Sequence, residues 1–274
     1  MLLLLLGATS ELFAQGVIFA LEKEIGELVY SAKPAVVTVL AMKEGSSSAE
    51  GKGLFGLFGE REEAEKECKV GTGLIISSDG FVLTKASLLR NARFIDVALD
   101  NGTSHRAEWM ECDSVRGVAL IKISATGLSP AHFSVPDALH AGSWVTVIGN
   151  SMGVPHAVSV GVVSAIQPDG LVQISANVDP GSNGSPVFDV HAHAIGMVMG
   201  RVGLEPSAPS SSEYFSNSAL VHTFADMLPF VRAAMERYYA MHGWVGITVI
   251  TDASEPSRPR ILKLIENGPG HKSG

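Results

Sequence analysis

Apolar and polar positions along the chain change period several times, and each change predicts an element. Ile18, Leu21, Ile25, Leu28 and Val29 recur at helical spacing with Glu22, Lys23, Glu24 and Glu27 between them, so residues 17–32 read as a helix that stops before Pro34. From Ala35 the pattern turns to short runs of β-branched and other apolar residues. Ala35–Ala41, Gly71–Ser77, Phe81–Ser87, Phe94–Leu99, Ser104–Cys112 and Val118–Ile123 give six strands, punctuated by the turn signals Ser78-Asp79-Gly80 and Asp100-Asn101-Gly102. A linker with Pro130 and Pro136 precedes a second set: Trp144–Ile148, Ala157–Ile166, Leu171–Ala176, Pro186–Phe188 and Ala194–Met199. Residues 218–241 return to helical spacing, with Leu220, Phe224, Leu228, Val231 and Met235 as the apolar stripe. The pattern predicts an all-β chain framed by two helices. Two polar loops interrupt it, Met42–Lys69 and Leu204–Ser216, and the first carries Leu54, Phe55, Leu57 and Phe58 at its centre.

Composition narrows the function classes. A chain of 274 residues with 46% hydrophobic and 18% charged residues can bury a sizeable core, and 29 Gly and 13 Pro suit many short strands joined by turns. A net charge of −8 without a basic stripe argues against a nucleic-acid partner. No apolar run reaches the roughly 18 residues of a membrane-spanning helix. Residues 1–16 (MLLLLLGATSELFAQG) read as the remnant of a secretory signal, short and without a basic leading segment, which points to export. Cys68 and Cys112 are the two cysteines, and the spacing leaves open whether they pair. His191 and His193 form a His-x-His pair on a hairpin turn, with no third metal ligand evident. No metal site and no cofactor is expected.

The chemistry concentrates in Ser175–Phe188 (SANVDPGSNGSPVF), a Gly-rich loop between two apolar runs. Such a loop can turn several backbone N–H groups into one small space, which is how an oxyanion hole is built. The order Pro180-Gly181-Ser182-Asn183-Gly184-Ser185-Pro186 resembles the nucleophile loop of the HtrA/Deg branch of trypsin-like serine proteases, and the segments GTGLIISSDGFVLT (71–84) and VALIKI (118–123) resemble the same family in order and spacing. The resemblance implies a trypsin-like double six-stranded β-barrel over residues 17–236, with an N-terminal helix and a C-terminal linker helix. Residues 237–274 resemble the start of an incomplete PDZ domain, in which Gly243, Trp244, Val245, Gly246 and Ile247 correspond to the peptide-binding loop and strand.

Serine proteases need a nucleophile, a general base and a carboxylate that orients the base. By the family pattern the base position in Thr84-Lys85-Ala86-Ser87 is Ser87, the carboxylate position is Gly117, and the nucleophile position is Asn183. All three triad positions are therefore substituted within a surviving framework. Gly181 and Asn183 retain backbone N–H groups for an oxyanion hole, and Ser182 and Ser185 stand as fallback nucleophiles. Asp113 and Asp179 are carboxylates near the implied cleft, expected to cap turns.

The reading that follows is an HtrA-like pseudoprotease of the cell envelope or periplasm. It would bind unfolded or partner polypeptide as a chaperone, scaffold or regulator in protein quality control. A homotrimer or a mixed oligomer with an active relative is the assembly implied by the family. The alternatives are an active serine endopeptidase with a rearranged site on Ser182 or Ser185, and a product with no retained role.

Overall fold

The computed structural model describes residues 2–43, 68–133, 139–151, 153–179, 181–203, 215–242, 247–252 and 255–264. The chain divides into two units, Met1–Pro229 and Phe230–Gly274.

In the first unit, helix α1 spans Leu2–Ala32 and thus continues through the segment read as a leader remnant. A single 3₁₀ turn, Lys33–Ala35, accommodates Pro34 and delivers the chain into β1 (Val36–Met42). Strands β2 (Cys68–Ile75), β3 (Phe81–Lys85), β4 (Phe94–Ala98), β5 (Ser104–Asp113) and β6 (Val118–Ile123) follow. They close with β1 into a barrel in the order β1-β2-β3-β6-β5-β4. Its interior is filled by Val37, Val39, Ile75, Val82, Val97 and Ile121. The Ser78-Asp79-Gly80 turn is specified by sterics. Gly80 has φ +104, and a Cβ there would lie 2.3 Å from the Ile123 carbonyl oxygen.

The second barrel uses β7 (Trp144–Ser151), β8 (Val154–Ile166), β9 (Val172–Ile174), β10 (Pro186–Phe188), β11 (Ala194–Gly203) and β12 (Phe215–Thr223), closed in the order β10-β11-β12-β9-β8-β7. Val145, Val147, Val163, Ile174, Val198 and Val221 pack inside it. The expected pair of six-stranded barrels is therefore present.

Two elements depart from expectation. The strand predicted as Phe81–Ser87 ends at Lys85, and Ala86–Leu89 forms one helical turn, α2, because Leu88 and Leu89 fold back onto the first core. The helix predicted from Ser218 begins only at Phe224 (α3, Phe224–His242). Residues 218–223 belong to β12, which pairs with both β11 and β9. The apolar residues of this run satisfy either period. The need to close the barrel decides it, with Ala219 and Val221 buried two residues apart.

One hydroxyl ties the barrels to each other. Thr72, buried on β2, accepts hydrogen bonds through Oγ1 from the Asn150 N–H (2.8 Å) and from Ser185 Oγ (3.1 Å), and donates to the Gly181 carbonyl (3.3 Å). Beside it Gly149 leaves no room, since a Cβ there would lie 1.8 Å from Ser185 Oγ and 3.1 Å from Thr72 Oγ1.

The division between the units falls directly after Pro229, which interrupts the hydrogen-bond ladder of α3. In the second unit, β13 (Ile247–Asp252) and β14 (Glu255–Leu264) pair as an antiparallel hairpin. Of the residues assigned to a PDZ-like loop, Ile247 opens β13, while Gly243, Trp244, Val245 and Gly246 lie outside the described residues. So do Leu54, Phe55, Leu57 and Phe58.

Two substitutions test the seam between the barrels. Thr72→Val keeps the side-chain shape but strands the Asn150 N–H, and should lower stability by about 1–3 kcal/mol. Gly149→Ala should cost about as much through overpacking, ~1–3 kcal/mol, whereas Gly26→Ala, at an exposed helical glycine with open space around its Cα, should not destabilise. Thermal unfolding followed by circular dichroism reads all three.

Candidate functional site

The loop from β9 to β10 is a pair of tight turns held from both sides. The Ser182 N–H donates to Asp179 O (2.9 Å) and the Ser185 N–H to Ser182 O (3.0 Å). On one side Gly184 N–H donates to Val198 O (3.0 Å) and Val198 N–H to Ser185 O (2.9 Å), which moors the loop to β11. On the other, the Thr72 N–H donates to Asn183 O (3.2 Å), which moors it to β2. Gly181 (φ +101) and Gly184 (φ +85) supply the left-handed conformations the turns require. At Gly184 the approach is closest, because a Cβ there would sit 2.4 Å from Thr72 O.

These constraints sort the side chains. Ser182 and Ser185 point inward, with 8% and 0% of their surface exposed, while Asn183 is exposed. Ser182 Oγ donates to Asn150 O (3.1 Å) and accepts from the Asp179 N–H (3.2 Å). Ser185 Oγ donates to Thr72. Both hydroxyls act as internal hydrogen-bonding struts. Among the described residues no histidine hydrogen-bonds to either of them, so neither has a base to take its proton.

The three positions expected to correspond to the triad, Ser87, Gly117 and Asn183, belong to segments that meet at one place. Ser87 is exposed on α2. Gly117 has φ +67 and its carbonyl accepts from the Ala86 N–H (2.8 Å), joining the second and first segments. A Cβ on Gly117 would lie 3.3 Å from Met199 Cε. The third segment is reached by Lys85, whose Nζ donates to Asn183 Oδ1 (3.1 Å) and to the Met199 carbonyl.

Lys85 is the residue that motif reading passed over. It stands two positions before the base position, at the end of β3, and was legible only as a family-pattern Asn replaced by a cation. The acceptor at Met199 has a local cause. The β11–β12 register shifts between Val198 and Gly200, leaving Met199 as the bulged residue, outside the ladder pairs. Burial pushes the Lys85 ammonium below the ordinary lysine range. Among the described residues no carboxylate lies within ion-pair distance of it.

A cavity of about 280 Å3 opens beside Asn183. Val178, Val198 and Gly200 supply an apolar side, and Asp179, Asn183 and Arg201 a polar one. The N–H groups of Gly181 and Asn183, expected to form the oxyanion hole, have no acceptor among the described residues. The arrangement thus offers hydrogen-bond donors, a cation and a small cavity. Among the described residues it offers no imidazole hydrogen-bonded to a loop hydroxyl.

Of the two neighbouring carboxylates expected to cap turns, Asp113 does so and Asp179 instead holds a distant hydroxyl. Asp113 Oδ1 accepts from the N–H groups of Val115 (2.8 Å) and Arg116 (3.2 Å), and Oδ2 from Arg116 Nη1 (2.8 Å). Burial pushes the Asp113 carboxyl up, but these bonds outweigh it and hold it below the usual carboxylate range. Asp179 Oδ2 accepts from Ser151 Oγ (2.7 Å). His193 lies 3.5 Å from Asp189 on the hairpin turn, and Cys68 and Cys112 are free, exposed thiols.

Comparison with known proteins agrees with this geometry. Residues 71–197 match the trypsin-like peptidase domain. The probable periplasmic serine endoprotease DegP-like of Ectopseudomonas mendocina is 28% identical over 238 residues, covering 79% of this chain and 47% of that protein. The protein of the same name from Halomonas elongata is 31% identical over 51% of this chain and 31% of its own length. The putative serine protease HhoB of Synechocystis is 30% identical over 63% of this chain and 46% of its own. The chain spans less than half the length of these relatives. The two six-stranded barrels form a trypsin-like double barrel, and the chain carries a trypsin-like peptidase domain homologous to the DegP/HtrA serine endoproteases.

Proposed function

We propose that this protein is a catalytically silent member of the DegP/HtrA group that binds polypeptide in the cleft between its barrels without cutting it. The observation that carries this reading is the contact between Lys85 and Asn183. At an exposed position of the loop, where a nucleophile is expected to stand, an amide side chain is held by an ammonium group 3.1 Å away. An amide is not a competent attacker, and an ammonium with no free pair cannot accept a proton. Removing a nucleophile or base alone lowers turnover by about 10⁶ in a serine protease in which this has been measured. Donors without a nucleophile bind carbonyl or carboxylate oxygens and leave the peptide bond intact.

Export fits the same reading, with residues 1–16 as signal remnant and the relatives described as periplasmic. Among the described residues no helix is long and apolar enough to cross a membrane. The protein would act in quality control of the cell envelope, as a chaperone, scaffold or regulator of an active relative. A homotrimer or mixed oligomer is part of the proposal. Val17, Ile18 and Phe19 are 64–69% exposed on α1, which is apolar surface suited to an interface.

Fluorophosphonate labelling read by intact mass is the direct test, since the reagent modifies a serine only when a base activates it. No adduct is expected under conditions that label an active DegP-type protease. A stoichiometric adduct on Ser182 or Ser185 would make the protein an endopeptidase with a rearranged site. Unfolded, reduced casein should bind and stay intact over hours of incubation. Ser182→Ala and Ser185→Ala should each cost about 1 kcal/mol of stability through the lost hydrogen bonds, and Ser185→Ala, whose side chain is fully buried, should leave that binding unchanged.

A further inference from the structure

The cleft holds a cation that no carboxylate among the described residues neutralises. Lys85 is half-buried, its two acceptors are an amide oxygen and a backbone carbonyl, and among the described residues no carboxylate pairs with it. Withdrawing an ammonium from water is unfavourable unless charge or strong hydrogen bonds compensate, so this site is complementary to an anion. Two N–H groups with no acceptor among the described residues, at Gly181 and Asn183, belong to the same loop. The cavity beside Asn183 has an apolar side of Val178, Val198 and Gly200, and its volume of about 280 Å3 suits one side chain rather than a whole ligand.

We propose that the site is a receptor for the free C-terminus of a polypeptide ending in a small apolar residue. The terminal α-carboxylate is held by the Lys85 ammonium and by backbone N–H groups of the 181–183 turn, and the terminal side chain enters the cavity. The inference rests on the polypeptide-binding reading above and adds the chemical end that is recognised. A terminal residue matches the site because its carboxylate and its side chain leave the same Cα, as the cation and the cavity flank the same residue, Asn183. An internal peptide bond brings no charge to Lys85. An acidic side chain brings the charge but no apolar group to the cavity. Asp179, on the polar side of the cavity, is a carboxylate that would repel an anion there, so the anion belongs at the Lys85 end. On binding, the carboxylate would take over the Lys85 hydrogen bond now spent on Asn183 Oδ1. That exchange replaces a neutral acceptor by a charged one and makes the bond charge-assisted.

Fluorescence polarisation with N-terminally labelled octapeptides tests this on the full chain. Three probes are compared: one ending in valine with a free carboxylate, its C-terminal amide, and an amidated peptide with a penultimate glutamate. The free acid should bind about tenfold or more tighter than either amide, as expected for a charge-assisted bond. Lys85→Gln should remove most of that advantage and leave the amides unchanged, whereas Lys85→Arg should retain a preference for the acid. Thermal unfolding of both variants checks that they fold. Equal affinity for acid and amide, or an equal loss for both in Lys85→Gln, would overturn the C-terminus assignment while leaving polypeptide binding intact. A preference for the glutamate amide would reassign the site to acidic side chains. Failure of the octapeptides and of unfolded casein alike would remove both readings.

Discussion

The geometry of the cleft depends on the saturation of one threonine hydroxyl. Thr72 Oγ1 meets a backbone N–H, a serine hydroxyl and a carbonyl, drawn from β7 and from the loop that precedes β10. Its own backbone serves as well: the N–H reaches Asn183, and the carbonyl accepts from Thr84 Oγ1 at 2.7 Å. A buried hydroxyl with a full set of partners is worth more than an apolar contact of the same size, because each partner would otherwise be a desolvated orphan. Gly149 and Gly184 belong to the same constraint, since side chains on either would push the partners apart. The loop is thereby held in a shape that does not require a catalytic residue to be present.

That independence separates the shape of the loop from the side chains at the three expected triad positions. The groups that hold the loop are Thr72, Asn150, Ser182 and Ser185, and the substituted positions carry none of their hydrogen bonds through side chains. Ser87 and Asn183 face solvent, and Gly117 contributes a carbonyl to Ala86. Chemistry and folding are carried by different atoms of the same few segments.

Much of this was legible in the sequence. Strand periodicity located eleven of the twelve barrel strands to within a few residues, the family resemblance supplied their closure into two barrels, and the turn signals at Gly80 and Gly102 fall where positive φ angles are needed. The order of Gly and Pro in 180–186 located the loop. What the sequence concealed has physical causes. Residues 218–223 satisfy a helical and a strand period equally, and only the open edge between β11 and β9 resolves them. Ser182 and Ser185 read as spare nucleophiles because a sequence does not show which of four neighbouring side chains a tight turn directs inward. Lys85 escaped notice because its partners are 98 and 114 residues away, and one of them is a carbonyl exposed only by a bulge.

The alternation of inward and outward side chains also sets the mutational grammar of the loop. Positions 182, 184 and 185 are fixed by buried hydrogen bonds or by the absence of space, so nearly any replacement there disturbs the seam between the barrels. Position 183 projects into solvent, where its side chain meets the Lys85 ammonium and no fully buried group, so that side chain can vary with little consequence for the fold. A nucleophile must project from such a site to meet a substrate. The most reactive residue of this architecture is for that reason the one it can lose most cheaply.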